Sequence, residues 1–164
     1  MIQRIQSVYL LIVLLLWVSI FFLPVSIKTI EPNPALQILK PVSYRLDIYG
    51  VFKFEDKELV SKSPAYILSG LSVIGTISVA LSLFLYKNRT RQIKLCRFSL
   101  LLAAAFIAAD FYLSEAMGSE YPVESSVQYQ AASYFPVLQI ILLMMAIKAI
   151  KKDEDLVRAA DRIR

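Results

Sequence analysis

Four stretches of this chain carry so few charges that water cannot be the solvent around all of them. Ser7–Leu23 and Ala65–Tyr86 have none, Phe98–Met117 carries acids only near its far end, and Tyr134–Ile150 is uncharged up to Lys148. A helix rises about 1.5 Å per residue, so about 20 residues cross a hydrocarbon core of about 30 Å. The first and last runs are short by that measure. Flanking Gln3, Arg4 and Gln6, and Lys148, Lys151 and Lys152, extend them by reaching toward the headgroups. A soluble helical bundle would need polar outer faces, and Leu10–Leu16 is apolar all round. Composition agrees: 57% hydrophobic, 19% charged and a mean hydropathy of +0.59, against about 45–50% apolar and about 25% charged in soluble domains. The expected fold class is therefore an all-α membrane protein. It is one domain, 1–164, an antiparallel four-helix transmembrane bundle with spans at about 7–23, 65–86, 98–117 and 134–150 and a small strand-bearing outer loop.

Charge placement sets the expected orientation. Arg4, the five bases of Lys87–Arg97 and the six of Lys148–Arg164 put twelve of the 18 basic residues on one side of the spans. The segment 118–133 has acids and no base. The positive-inside rule then puts both termini and the loop 87–97 in the cytoplasm, with 24–64 and 118–133 outside and a cytoplasmic tail at 151–164. The net charge of +5 thus reads as topology, with attraction to lipid headgroups as its by-product, and not as a nucleic-acid surface. Within 24–64, Val25–Ile30 alternates, and Tyr44, Leu46 and Ile48 alternate against Arg45 and Asp47. Both read as strands, with Gly50 at a turn and Phe52 and Phe54 as anchors. Ser63-Pro64 reads as the cap and first residue of the second helix.

Chemistry is sparse. There is no histidine and one cysteine, Cys96, so no His-based triad, disulfide framework or thiolate metal cage can form. No P-loop, GxSxG or HExxH occurs. The sequence points to no enzyme, no cofactor and no metal site. Ser69, Ser72, Gly75, Ser78 and Ser82 make a small-residue stripe suited to close helix contact. Asp110 is the one acid deep enough in a span to need a partner. Counted at about 1.5 Å per residue from the cytoplasmic edge, Asp110, Gln139, Ser72 and Ser19 fall in one layer roughly 18–22 Å deep, a candidate polar cluster. The tail KKDEDLVRAADRIR is a charged amphipathic helix, with Leu156, Arg158, Ala160 and Ile163 as candidate docking residues.

The opening MIQRIQSVYLL and the closing KKDEDLVRAADRIR resemble a family of small four-span inner-membrane proteins of Bacteroidota, known as a domain of unknown function. The resemblance implies the cytoplasmic membrane of a Gram-negative cell and supplies no activity. The function expected is that of a non-enzymatic accessory or scaffold subunit of an envelope complex, with membrane lipid and an envelope protein as partners. The alternative is a small oligomeric transporter or channel that uses Asp110.

The orientation is directly testable. A reporter fused after Arg164 is expected to be active only in its cytoplasmic form, and a cysteine placed at Asn33 to label from outside the membrane. Protection of position 33 from an impermeant thiol reagent in intact cells would invert the topology.

Overall fold

The computed structural model describes residues 3–32, 40–56, 58–86, 88–119 and 126–162, with 3–4 and 157–162 as backbone. Asn33, Glu120, Tyr121, Glu124 and Ile163 therefore lie outside the described residues, as do the side chains of Arg158 and Ala160. Helix α1 spans Gln3–Ile20, followed by strands β1 (Ser26–Ile30), β2 (Val42–Asp47), β3 (Gly50–Glu55) and β4 (Glu58–Ser63). Helices α2 (Tyr66–Phe84) and α3 (Arg89–Ala116) come next, then β5 (Val127–Tyr129) and α4 (Ala131–Arg162). The basic segment after α2 is almost entirely the first turns of α3, and α4 runs without a break through the charged tail.

The all-α four-helix bundle expected from the sequence is corrected. Five strands form one antiparallel sheet, in the order β4-β3-β2-β1-β5, so the protein combines helices with a substantial sheet. Two strands escaped the sequence reading for physical reasons. β4 is exposed along its whole length and carries no buried alternation. β5 is three residues long and pairs with β1, which lies about a hundred residues earlier, through Ser26–Tyr129, Ile27–Gln128 and Lys28–Val127. Neither leaves the period-two apolar signal that identifies a half-buried strand. The central pair does leave it: in β2, Val42, Tyr44 and Leu46 are buried while Arg45 is exposed. The register between β3 and β4 slips at Lys53/Phe54, a bulge in the outer pair.

Among the described residues, three helices are long and apolar enough to cross a membrane: α2, α3 and the part of α4 from Ala131 to Leu156. The apolar part of α1, Ile5–Ile20, is shorter, so the four expected crossings become three that meet the length criterion. α1 stops at Ile20 because the chain must turn into the sheet before Pro24. The amides of Phe21 and Phe22 close tight turns on Val18 and Ser19, each at 3.1 Å, and Val25 already donates to Leu46 of β2 at 2.8 Å. At the start of α2, Ala65 and not Ser63 is the capping residue, with no side-chain cap bond, because Ser63 is used as the last residue of β4.

α1 packs on α2 and α4, and α3 packs on α2 and α4. Each helix buries one stripe, Leu10, Val13, Trp17 and Ile20 in α1 and Ala132, Gln139, Leu143, Ala146 and Ile150 in α4. In α2 the buried stripe is Leu68, Ser72, Gly75, Ser78, Val79 and Ser82, while Val73, Ile74, Ile77 and Leu81 are exposed. That is the reverse of a water-soluble amphipathic helix. The small residues let α2 and α3 approach until their side chains bond across the seam: Ser78 with Ser99 at 2.8 Å, Ser82 with Cys96 at 3.2 Å, and Gln92 Nε2 donating to the Ser82 carbonyl at 3.1 Å.

Trp17 fills the centre. It is fully buried and meets Phe106 of α3 edge-on, with ring centroids 5.9 Å apart. Gly75 is what makes room for it: a Cβ there would lie 2.6 Å from the indole. Gly118, with φ +70°, ends α3 in the left-handed conformation and lies against Ile30 and Tyr44 of the sheet. Gly75→Ala is therefore expected to cost about 1–3 kcal/mol through overpacking. Thermal unfolding of the detergent-solubilised protein would measure the loss. Combining it with Trp17→Phe should cost less than the sum of the two single changes.

Candidate functional site

The most concentrated polar chemistry among the described residues lies where the sheet meets the helix ends. β1 begins at Ser26, directly after the turn that closes α1, so its first residues are forced against the C-terminal end of α3 and the N-terminal end of α4. Three of the four helices fasten there. The Val25 carbonyl accepts the Gln130 amide at 2.9 Å and the Ser133 hydroxyl at 2.8 Å. The hydroxyls of Ser26 and Ser114 are 2.7 Å apart, and Ser114 donates to Asp110 Oδ1 at 3.0 Å. The Ser133 hydroxyl, committed to the Val25 carbonyl, lies near the Asp110 carboxyl. Nearby, Ser69 at the start of α2 donates to the Ile48 carbonyl in the β2–β3 turn, and the Tyr49 hydroxyl donates to the Phe21 carbonyl at 3.3 Å.

Asp110 is 2% exposed, and its partners are serines. Because Ser114 is the donor to Asp110, its own oxygen accepts from Ser26, which gives a directed chain from β1 through Ser114 to the carboxylate. The buried carboxyl thus has one hydroxyl donor, itself held by Ser26, and no ion-pair partner among the described residues. Its negative charge reaches into the sheet. Tyr129 on β5 sits against Phe111, ring centroids 5.1 Å apart, and burial together with the carboxylates of Glu115 and Asp110 holds its phenol above the ordinary tyrosine range.

The four residues of the candidate cluster are arranged differently from the sequence expectation. Asp110, Gln139 and Ser72 are buried, and Ser19 is half-buried. The Ser72 hydroxyl turns back to the Leu68 carbonyl and that of Ser19 to the Leu15 carbonyl, each at 2.8 Å. The Gln139 amide has no hydrogen-bond partner among the described residues. No hydrogen bond thus joins Asp110 to the other three. The residues that do hold it, Ser114 directly and Ser26 through Ser114, were missed, as was Ser133 beside them. Ser114 was legible at i+4 on the same helix, whereas Ser26 and Ser133 become neighbours only through the β1–β5 pairing. Of the docking tail, Leu156 is half exposed, and α4 is helical to Arg162. Among the described residues no group of three or more acid, cysteine or histidine side chains could hold a metal ion.

What this site can do is fasten. A family model described as "Domain of unknown function (DUF4293)" matches residues 2–163, and the chain belongs to that family. No curated protein and no solved structure matches it.

The fastening can be measured. Ser114→Ala removes the hydroxyl that Ser26 and Asp110 share, and orphaned buried partners cost about 1–3 kcal/mol. Asp110→Asn keeps an acceptor oxygen and is expected to cost less. Ser19→Ala, which touches only its own helix, serves as the reference. Unfolding temperatures of S114A and S19A that coincide would remove the clasp.

Proposed function

We propose that this family member is a non-enzymatic integral membrane protein that acts as an accessory or scaffold subunit of an envelope complex, presenting its sheet on the outer face of the cytoplasmic membrane. The observation that carries the reading is the pairing of a firmly fastened sheet with an open edge. β4 is exposed throughout, with Leu59 and Val60 more than half exposed, and it forms the end of the sheet. An edge strand of this kind offers unpaired amides and carbonyls to a partner segment.

Membrane residence is supported by three sufficiently apolar helices and by the exposure of Val73, Ile77, Leu81, Leu101 and Ile141 around them. Orientation follows from chain direction and charge. α1 enters the sheet by its C-terminal end and α4 leaves it by its N-terminal end, so both termini point away from the sheet, together with the basic start of α3. The positive-inside rule makes that side cytoplasmic. The choice of the inner membrane of a Gram-negative cell, and of Bacteroidota, rests on the resemblance of the chain ends. The transport alternative depends on Asp110. Its engagement with Ser114, and through it with Ser26, suits a structural role better than a moving substrate or proton.

A photo-crosslinking residue at Val60, followed by detergent pull-down and mass spectrometry, tests the reading. A stoichiometric envelope partner captured at position 60 is expected. Recovery of a pure homo-oligomer would favour transport, and Asp110→Asn would then abolish flux while leaving folding intact. Deleting 157–164 should leave insertion unchanged and weaken any cytoplasmic association.

A further inference from the structure

At the end of the molecule opposite the sheet, α3 and α4 enclose a cleft of about 480 Å³, within the size range of small-molecule sites. Thr90, Lys94 and Arg97 line one wall from α3, at spacings of four and three that place them on one helix face. Lys151 stands on the α4 wall with Glu154 and Asp155 one turn farther along, and Ile93 contributes apolar surface. These charges are not equally available. Glu154 is already engaged within the protein. Lys94, Arg97 and Lys151 have no ion-pair partner among the described residues. Three uncommitted cations thus meet one uncommitted carboxylate, Asp155, and the cleft is net positive. Thr90 adds a hydroxyl from the first turn of α3, whose amides have no side-chain cap and no acid beside them.

The two signs are also separated along the helix axes. Arg89 and Asp153 pair at 2.7 Å and fix one level common to both helices, which run in opposite directions. Lys94 and Arg97 follow Arg89 by five and eight residues, so their backbones lie about 8 Å and about 12 Å from that level toward the apolar spans. Asp155 lies about 3 Å from it in the other direction. Just past Arg97 the surface of α3 turns apolar, with Phe98 45% and Leu101 70% exposed. On the membrane reading proposed above, on which this inference rests, the cationic end of the cleft meets the headgroups and the acidic end faces the cytoplasm. The geometry points to a binding site for the phosphate group of a membrane lipid of net negative charge, phosphatidylglycerol in its chemistry. Lys94, Arg97 and Lys151 hold the phosphodiester by charge-assisted hydrogen bonds, and the acyl chains run up α3 past Phe98 and Leu101. A zwitterionic lipid brings the same phosphate together with an ammonium, which the three bases repel. A soluble phosphodiester brings the phosphate without chains for the apolar surface.

The test uses the full chain in detergent micelles, with bound lipid counted by native mass spectrometry. Phosphatidylglycerol and phosphatidylcholine are titrated separately, and soluble glycerophosphoglycerol, the same headgroup without chains, serves as competitor. Phosphatidylglycerol is expected to bind more tightly, with Lys94→Gln/Arg97→Gln weakening it about three- to tenfold, as suits a few partly exposed charge pairs. Arg91→Gln/Lys152→Gln removes the same two charges from exposed positions outside the cleft and is expected to leave the affinity unchanged. Asp155→Asn takes away the opposing carboxylate and is expected to tighten binding about twofold. Equal binding of the two lipids would overturn the site. Equal losses in K94Q/R97Q and R91Q/K152Q would overturn it too, because that is the result of a diffuse attraction between basic residues and anionic headgroups. Displacement by glycerophosphoglycerol at lipid-like concentrations would overturn its lipid source. Alkaline carbonate extraction separates the membrane reading from the lipid site. Release of the protein from membranes overturns both, whereas retention without preference for phosphatidylglycerol overturns the lipid site alone.

Discussion

Everything on the sheet side of this protein hangs on two residues, Val25 and Ser26, where α1 gives way to β1. The Val25 amide starts the pairing with β2, its carbonyl receives the first turn of α4, and the Ser26 hydroxyl reaches α3 through Ser114. β1 has β2 on one side and β5 on the other, so fixing its start fixes the register of three strands. A two-stranded ribbon is marginal by itself in water. Here the sheet is wider than that and is bonded to helix ends, which lets polar strands such as β4 remain ordered with little burial of their own.

The helices solve the complementary problem. At the α2–α3 seam, α2 turns Val73, Ile74, Ile77 and Leu81 outward and Ser72, Gly75, Ser78 and Ser82 inward, so little of the cohesion there can come from burying hydrocarbon. Close packing and short side-chain bonds across the α2–α3 seam must supply it, and in that setting each small residue matters for the approach it permits. Gly75 is the clearest case, because the indole of Trp17 occupies the space where any side chain would go. Asp110 is the polar limit of the same logic: a buried acid held by Ser114 of its own helix, which is held in turn by Ser26 of β1.

Much of this was legible in the sequence. The apolar runs marked the helices, the alternation of Tyr44, Leu46 and Ile48 marked the centre of the sheet, and the aromatic pair Phe52 and Phe54 falls on β3. Local signals are carried by neighbours in the chain, and these were. What was hidden required partners far apart. β5 has too few residues for a pattern and exists because β1 offers it a ladder, and Ser133 meets the Val25 carbonyl only once that ladder is built. The cluster of four polar residues was inferred from depth alone. Depth places residues in a layer, but it does not say which way each faces, and Ser72 and Ser19 satisfy themselves on their own helices.

The two margins of the sheet are not alike. One is the six-residue β4, offset by the slip at Lys53/Phe54, and the other is the three-residue β5. Head-to-tail growth of a ribbon needs an acceptor margin and a donor margin of matching length, repeated without end. Among the described residues, this sheet has only one long enough to use. Contacts through it are confined to closed arrangements: a single foreign strand, or a two-fold pair of β4 strands that consumes both copies' open margins at once. An assembly nucleated through this sheet would terminate of its own accord, where an open-ended sheet would grow into a fibre.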